Sequence, residues 1–292
     1  MTQNSIKTTS LRLALPKGRM SEGVRGLLAD AGIRLRIGER GYRPSISMPG
    51  FECKILKPQT IIEMLHAGSR DIGFAGADWV AELGANLVDL LDTGFDPVRL
   101  VAAAPSGLIR DGKLPNQSLV VASEYPKLTQ AWMKKQPMPM KFVRSYGATE
   151  VFPPEDADCI IDITQSGDTL RANGLHIVDE LMLSSTRLYA NPDALKVPEK
   201  KQAIDNFVLL LRSVIEARGR VMVELNVSEA NLERLIEILP CMREPTMARL
   251  HGDAGYAVRA AVPKKDLPTL IPELKQRGGT DIVVTRLNQI VP

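Results

Sequence analysis

The segment CIIDITQSGDTL, Cys159 to Leu170, reads as a strand, a loop and the start of a helix. Cys159 to Ile163 is apolar except for Asp162, a run of strand length, and Ser166, Gly167 and Thr169 then supply small and hydroxyl-bearing residues where a helix begins. A phosphate needs that chemistry: glycine lets the backbone approach, N–H groups point at the anion, and hydroxyls donate further hydrogen bonds. A plain capped turn, with Ser166 or Thr169 as N-cap, would use the same residues. Asp162 favours the sugar-phosphate reading, because a carboxylate at a strand end beside such a loop can accept ribose hydroxyls.

Outward from this segment the chain alternates strands with helices. LRLALP ends at Pro16 and is followed by SEGVRGLLADAGI with helical spacing through Val24, Leu27 and Leu28. TIIEMLHAG predicts a helix, DIGFAG a strand, ADWVAELG a helix and RLVAAAP a strand. After the polar link SGLIRDGKLPNQ come SLVVASE, a helix from Pro126 to about Lys135, MKFVRSYG and CIIDI. LHIVDELMLSSTRLYAN predicts a return strand, and a long helix spans about Glu199 to Arg218. This pace argues for parallel α/β units in two lobes facing a cleft: lobe I at 1–107 and 186–218, lobe II at 108–185. From 219 to 292 the order becomes β-α-β-β-α-β, the ferredoxin-like arrangement, which suits a regulatory or oligomerising role.

Bulk properties narrow the function. Of the 292 residues, 44% are hydrophobic and 24% charged, so the chain can bury a real core. A net charge of +3 and 4% aromatic residues argue against a nucleic-acid-binding face. The polar start MTQNSIKTTS has no signal-peptide core and no apolar run is long enough to span a bilayer, so no membrane partner and a cytoplasmic location are expected. Cys53, Cys159 and Cys241, like His66, His176 and His251, are scattered. No protein metal cage is expected, and any metal is Mg²⁺ carried on substrate phosphates.

Two further segments offer matching chemistry. PKGR places Lys17 and Arg19 around the flexible Gly18 directly after a strand, suited to a polyphosphate tail or a departing pyrophosphate; a merely solvated basic turn looks the same. SYGATE brings Glu150 to the rim of the lobe that carries the phosphate loop, although a surface glutamate is the ordinary occupant of such a turn.

Taken in order, LALPKGRMSEGV, DIGFAGADWV, GATEVFPPEDADCIID with ITQSGDTLRANGL, LPCMREPTMARL and GYAVRAAVP resemble the long form of the ATP phosphoribosyltransferase family, from Leu11 onward. The resemblance implies an α/β fold with a two-lobed, type II periplasmic-binding-protein-like core and a C-terminal ferredoxin-like domain. It implies a reaction in which N1 of ATP attacks C1 of phosphoribosyl pyrophosphate, with Mg²⁺-bound pyrophosphate leaving. Thr164, Gln165, Ser166, Gly167, Asp168 and Thr169 would hold the 5′-phosphate and Asp162 the ribose hydroxyls, with Glu150 nearby. Lys17, Gly18 and Arg19 would meet pyrophosphate or ATP phosphates, and Asp78 would line the nucleotide side. The C-terminal domain would sense histidine as an inhibitor near Met242, Thr246 and Ala261, in a homo-oligomer that switches between hexamer and dimer.

The chain also departs from the family. CKILKPQTII lacks the usual acidic residue, and Lys54 or Lys57 stands for the usual arginine, with Arg40 or Arg43 as sources of compensation. Asp168 puts a negative charge inside the phosphate loop, tolerable if its side chain turns away. Asn226 stands where an aspartate can occur. Two competing readings are a non-catalytic two-lobed sensor with an amino-acid-binding tail, and a phosphoribosyltransferase for another base. A sensor has no need for Lys17, Arg19, Asp162 and the phosphate loop to converge.

Overall fold

The computed structural model describes residues 10–38 and 41–291. Arg40 therefore lies outside the described residues. The polypeptide divides into two compact units, one of the residues up to Gly26 with Arg34–Asp205, the other of Leu27–Ile33 with Asn206–Pro292.

The elements up to residue 218 are β1 (Leu11–Pro16), α1 (Met20–Asp30), β2 (Leu35–Arg36), β3 (Ser45–Ile46), β4 (Phe51–Leu56), α2 (Pro58–His66), β5 (Ile72–Gly76), α3 (Ala77–Leu83), β6 (Val88–Pro105), β7 (Leu119–Ser123), α4 (Pro126–Met133), β8 (Met140–Arg144), β9 (Cys159–Thr164), α5 (Asp168–Ala172), β10 (Leu175–Ala190) and α6 (Pro198–Arg218). Eight strands form one mixed sheet in the order β4-β1-β5-β10-β6-β9-β7-β8. β1 runs parallel to β4 and β5, and β7 parallel to β8 and β9. Between these two parallel halves lie β10 and β6, paired antiparallel from Leu175↔Pro105 to Ala190↔Val88. These two long strands carry the chain from one half to the other.

The sheet is buried on both faces, and the alternation of residues shows how. Leu100, Ala102 and Ala104 of β6 pack with Val121, Tyr125, Trp132 and Ile161, while Val101 and Ala103 pack with Ala122, Ile160, Leu170 and Leu175. In the other half, Ile61, Ile62 and Leu65 of α2 cover Ala14, Ala75 and Tyr189. Gly73 makes that approach possible: a Cβ there would lie 2.7 Å from Ile61 Cγ2 and 3.1 Å from Ala14 Cβ. The buried Asp71 carboxylate takes the Arg12 guanidinium and Lys200 ammonium, each at 2.8 Å. Burial alone would raise its pKa, and these hydrogen bonds outweigh that and hold it below the usual carboxylate value.

In the second unit, β11 (Arg220–Val227), α7 (Leu232–Ile236), β12 (Thr246–Arg249), β13 (Tyr256–Pro263), α8 (Leu267–Gln276) and β14 (Thr280–Arg286) form an antiparallel sheet ordered β12-β13-β11-β14. Strict alternation on β11 buries Val221, Val223, Leu225 and Val227 against Leu232, Leu235, Leu270 and Leu274 of the two helices. This is the ferredoxin-like arrangement.

Besides the two-residue β2 and β3, which the sequence also left unread, three elements differ from the sequence expectation. β6 begins at Val88, not near Arg99, because the turn-forming residues of DTGFDP make a bulge within the strand: Gly94 and Asp96 have φ of 67° and 47°, and the register against β10 shifts at Thr186. β4, unread in the sequence, pairs along all six residues with β1. The helix expected over EANLERLIEIL is a 3₁₀ turn at Glu229–Asn231 and the short α7, continued by tightened bonds from Ile238 to Leu235 and Leu239 to Ile236 before Pro240.

Candidate active site

Two neighbouring cavities lie in the first unit. The larger, about 350 Å³, is lined by Arg19, Glu150, Asp162, Thr164, Gln165, Ser166, Asp168 and Thr169 among others. The other, about 230 Å³, is lined by Lys17, Arg19, Asp78, Trp79, Asp96 and Ser184 among others. Arg19, Val98 and Ile163 belong to both walls, so the basic turn after β1 and the loop after β9 meet at one place.

The loop after β9 is built by its own side chains. Gly167 sits at φ 83°, a left-handed conformation natural to glycine, and its N–H donates to Thr164 Oγ1 at 2.9 Å. That N–H is thus engaged within the loop. α5 has only five residues, so its dipole adds little, and the Thr169 hydroxyl and the neighbouring amides are the groups left for an anion. Asp168 is accounted for. Its carboxylate takes the Ser166 hydroxyl at 2.5 Å and the Arg171 guanidinium, which hold its pKa below the usual value. Arg171 also donates to the Ser166 carbonyl at 3.2 Å, so the extra negative charge arrives with its own cation.

Asp162 differs sharply from Asp168. Desolvation pushes its pKa up to about 6, with Glu150 and Glu124 adding like-charge repulsion against a single opposing hydrogen bond from the Ile163 N–H at 2.7 Å. A carboxylate held in that state gains from a cation or a hydroxyl donor. Glu150 is carried on a short 3₁₀ turn, Thr149–Val151, entered through Ala148 at φ 48° and anchored by a 2.7 Å bond between the Ser145 and Thr149 hydroxyls.

Lys17 and Arg19 are exposed around Gly18, which has φ 78°. Arg19 lies 3.7 Å from Asp96, a residue in a segment for which the sequence offered no element. Asp78 lines the second cavity, but its oxygens are already engaged: Oδ2 accepts the Tyr125 hydroxyl at 2.7 Å and Oδ1 the Ser184 hydroxyl at 2.6 Å. Tyr125 and Ser184 had no local motif to mark them. Of the two lysines at the family departure, Lys57 precedes Pro58, which lines the second cavity. Lys54 lies near Arg70 and Arg43, whose charge lowers its pKa.

In the second unit, Met242, Thr246 and Ala261 line one cavity of about 420 Å³. Asn226 lines another of about 520 Å³, where its Nδ2 donates to Asp281 at 3.0 Å; Thr246 and Arg259, cross-strand partners, line both. Among the described residues no group of three His, Cys, Asp or Glu side chains could hold a metal ion, and no helix is long and apolar enough to cross a membrane.

Comparison with known proteins agrees with this geometry. Residues 57–213 match the ATP phosphoribosyltransferase family and residues 217–289 the HisG C-terminal domain. The ATP phosphoribosyltransferase of Chlorobaculum parvum is 33% identical over 96% of this chain and 97% of its own length, and that of Pelotomaculum thermopropionicum 33% identical over 97% and 99%. A solved chain of the ATP phosphoribosyl transferase (HisG:HisZ) complex from Thermotoga maritima, 28% identical, superposes with a TM-score of 0.63 over 70% of this chain and 98% of that one. With both family models matched in order and its relatives aligned along nearly their whole length, the chain therefore belongs to the long form of the ATP phosphoribosyltransferase family, the enzymes of the first step of histidine biosynthesis.

Proposed function

We propose that phosphoribosyl pyrophosphate occupies the larger cavity, with its 5′-phosphate on the Thr164 to Thr169 loop and its ribose hydroxyls toward Asp162 and Glu150, and that ATP enters the smaller one. The observation that carries this assignment is the membership of Arg19 in both walls. In the reaction, the lone pair of adenine N1 forms a bond to C1 as the bond from C1 to the pyrophosphate oxygen breaks, and the electron pair leaves with pyrophosphate. Lys17 and Arg19 stabilise that developing negative charge, while Asp162 and Glu150 face the positive charge that grows on the ribose. No side-chain nucleophile is required; the enzyme acts by positioning and charge.

Mg²⁺ on the substrate phosphates supplies neutralisation of the leaving group. The carboxylate oxygens of Asp162 and Glu150 are the hard donors that suit it, Asp162 most of all because its charge is poorly compensated within the protein. Asp78 serves as a wall of the nucleotide cavity and not as a free ligand. The non-catalytic sensor reading is not favoured, since the basic turn and phosphate loop share a wall and the relatives are enzymes.

We assign lobe I to 1–107 and 186–218, lobe II to 108–185, and histidine sensing to 219–292 around Met242, Thr246 and Ala261, with inhibition through a shift between hexamer and dimer. The test is turnover of purified protein with ATP, phosphoribosyl pyrophosphate and Mg²⁺, with pyrophosphatase present, with and without histidine. Turnover that histidine suppresses is expected; no turnover while both substrates bind would overturn the catalytic reading.

A further inference from the structure

Helix α3 belongs to the β4-β1-β5 half of the sheet, since it leaves the end of β5 with no intervening loop. Tyr125 and the start of α4 belong to the other half, just beyond β7. One face of α3 nevertheless reaches across. The Tyr125 hydroxyl, on a residue 1% exposed, donates to Asp78 at 2.7 Å, and its ring lies tilted by 33° against Trp79 with centroids 4.7 Å apart. One turn further along α3, the buried Glu82 accepts the N–H groups of Lys127 and Leu128, both at 2.9 Å, and so caps α4 from the opposite half. Asp78 is tied to the crossing strand as well: Ser184 on β10 donates to its carboxylate and accepts its N–H at 3.0 Å.

Tyr125 is itself locked. Its N–H donates to Ser123 Oγ at 3.0 Å, and Ser123 donates to the Ile161 carbonyl at 2.6 Å, one residue before Asp162 on β9. A chain of short bonds therefore runs from the wall of the nucleotide cavity to the strand that carries the phosphoribosyl site. Burial, together with the carboxylates of Asp78 and Asp162, pushes the phenol pKa up, so Tyr125 remains a donor.

We propose that Tyr125 and Glu82 are positioning residues that clasp the two halves of the cleft at a fixed spacing, so that the adenine and the ribose meet in register. The inference rests on the placement of the two substrates in the two cavities. Two-lobed receptors open and close about crossing strands like β6 and β10, and a clasp on the cleft wall opposes that motion. Bond formation needs the reacting atoms within about 3–3.5 Å, and a misplacement of about 1 Å costs on the order of 100-fold in rate. Apart from the shared Arg19, each cavity draws its polar groups from one half and the crossing strands, so loosening the clasp should spare binding of either substrate alone.

Tyr125→Phe and Glu82→Gln test this, the second because Glu82 lines neither cavity. For each, kcat is expected to fall about 10-fold or more, while the Kd of Mg²⁺-phosphoribosyl pyrophosphate and of Mg²⁺-ATP, titrated separately by calorimetry, stay within about 2-fold. Preserved affinities also report a folded protein. Wild-type kcat in either variant, even with a lowered Tm, overturns the clasp, as does an ATP Kd that worsens in step with kcat. Thr169→Ala keeps the underlying assignment separate: if it leaves phosphoribosyl pyrophosphate affinity intact the placement of the substrates is wrong, whereas loss of affinity there with wild-type kcat in Tyr125→Phe refutes only the clasp.

Discussion

Asp162, the carboxylate proposed to face the ribose, shows what a buried acidic group costs a fold. Its pKa is raised from 3.8 to about 6 in the folded chain, so its contribution to stability is fully present below about pH 4 and is lost as pH rises through 6. Asp162→Asn should therefore raise the Tm of the ligand-free protein at pH 7.5 by a few degrees, with the gain gone near pH 4, in a thermal scan across pH. The same variant should weaken phosphoribosyl pyrophosphate, because the cation on the substrate favours the charged form. In the wild type, apparent affinity should fall as pH drops below about 6, visible as a rising KM. Gly167→Ala is expected to cost about 1–2 kcal/mol through its left-handed backbone, with a Cβ 3.1 Å from Arg171 Nη1 disturbing the cation that balances Asp168; urea unfolding and a phosphoribosyl pyrophosphate titration measure both. That Asp162, Ser166 and Thr169 share one cavity wall was legible in the sequence, because a strand, a loop and a helix start in succession are local structure. Tyr125, Ser184 and Asp96 were not, since each acts on a partner 47 to 106 residues away or across a bulge.

At the scale of elements, hydrophobic period identified most strands and helices because both faces of the first sheet and one face of the second are buried. It failed where polar or turn-forming residues sit within a ladder. DTGFDP contains every sign of a loop, yet β10 holds it in the sheet through bonds such as Thr93 Oγ1 to the Thr186 carbonyl at 2.6 Å and Thr186 Oγ1 to Asp96 at 2.9 Å. The bulge has a use, since it aims Asp96 at Arg19. Close packing is the other thing that periodicity does not display. Gly73 looks like an ordinary strand glycine, but α2 rests where its side chain would be. Gly73→Val should destabilise the first unit by about 1–3 kcal/mol as α2 shifts outward. A urea midpoint equal to wild type would show that α2 yields without cost.

At the scale of the whole molecule, the two units carry unlike chemistry. The loop after β9 in the first is a cluster of hydroxyls and acidic groups beside a basic turn, whereas the Met242, Thr246 and Ala261 cavity in the second mixes methionine and cysteine side chains with Arg243, Glu244 and Arg259, a lining whose two charge signs suit a zwitterion. If histidine binds there and the phosphate loop serves only phosphoribosyl pyrophosphate, damage to one should leave the other's intrinsic affinity in place, coupling aside. Thr169→Ala removes one hydroxyl donor to a charged group, a loss of about 1.5–3 kcal/mol and so roughly 10- to 100-fold in affinity. Calorimetric titration of that variant is expected to show phosphoribosyl pyrophosphate weakened by that factor and histidine bound within about 2-fold of wild type. Equal loss of both would mean that the loop takes part in histidine recognition, and the assignment of separate sites would fall.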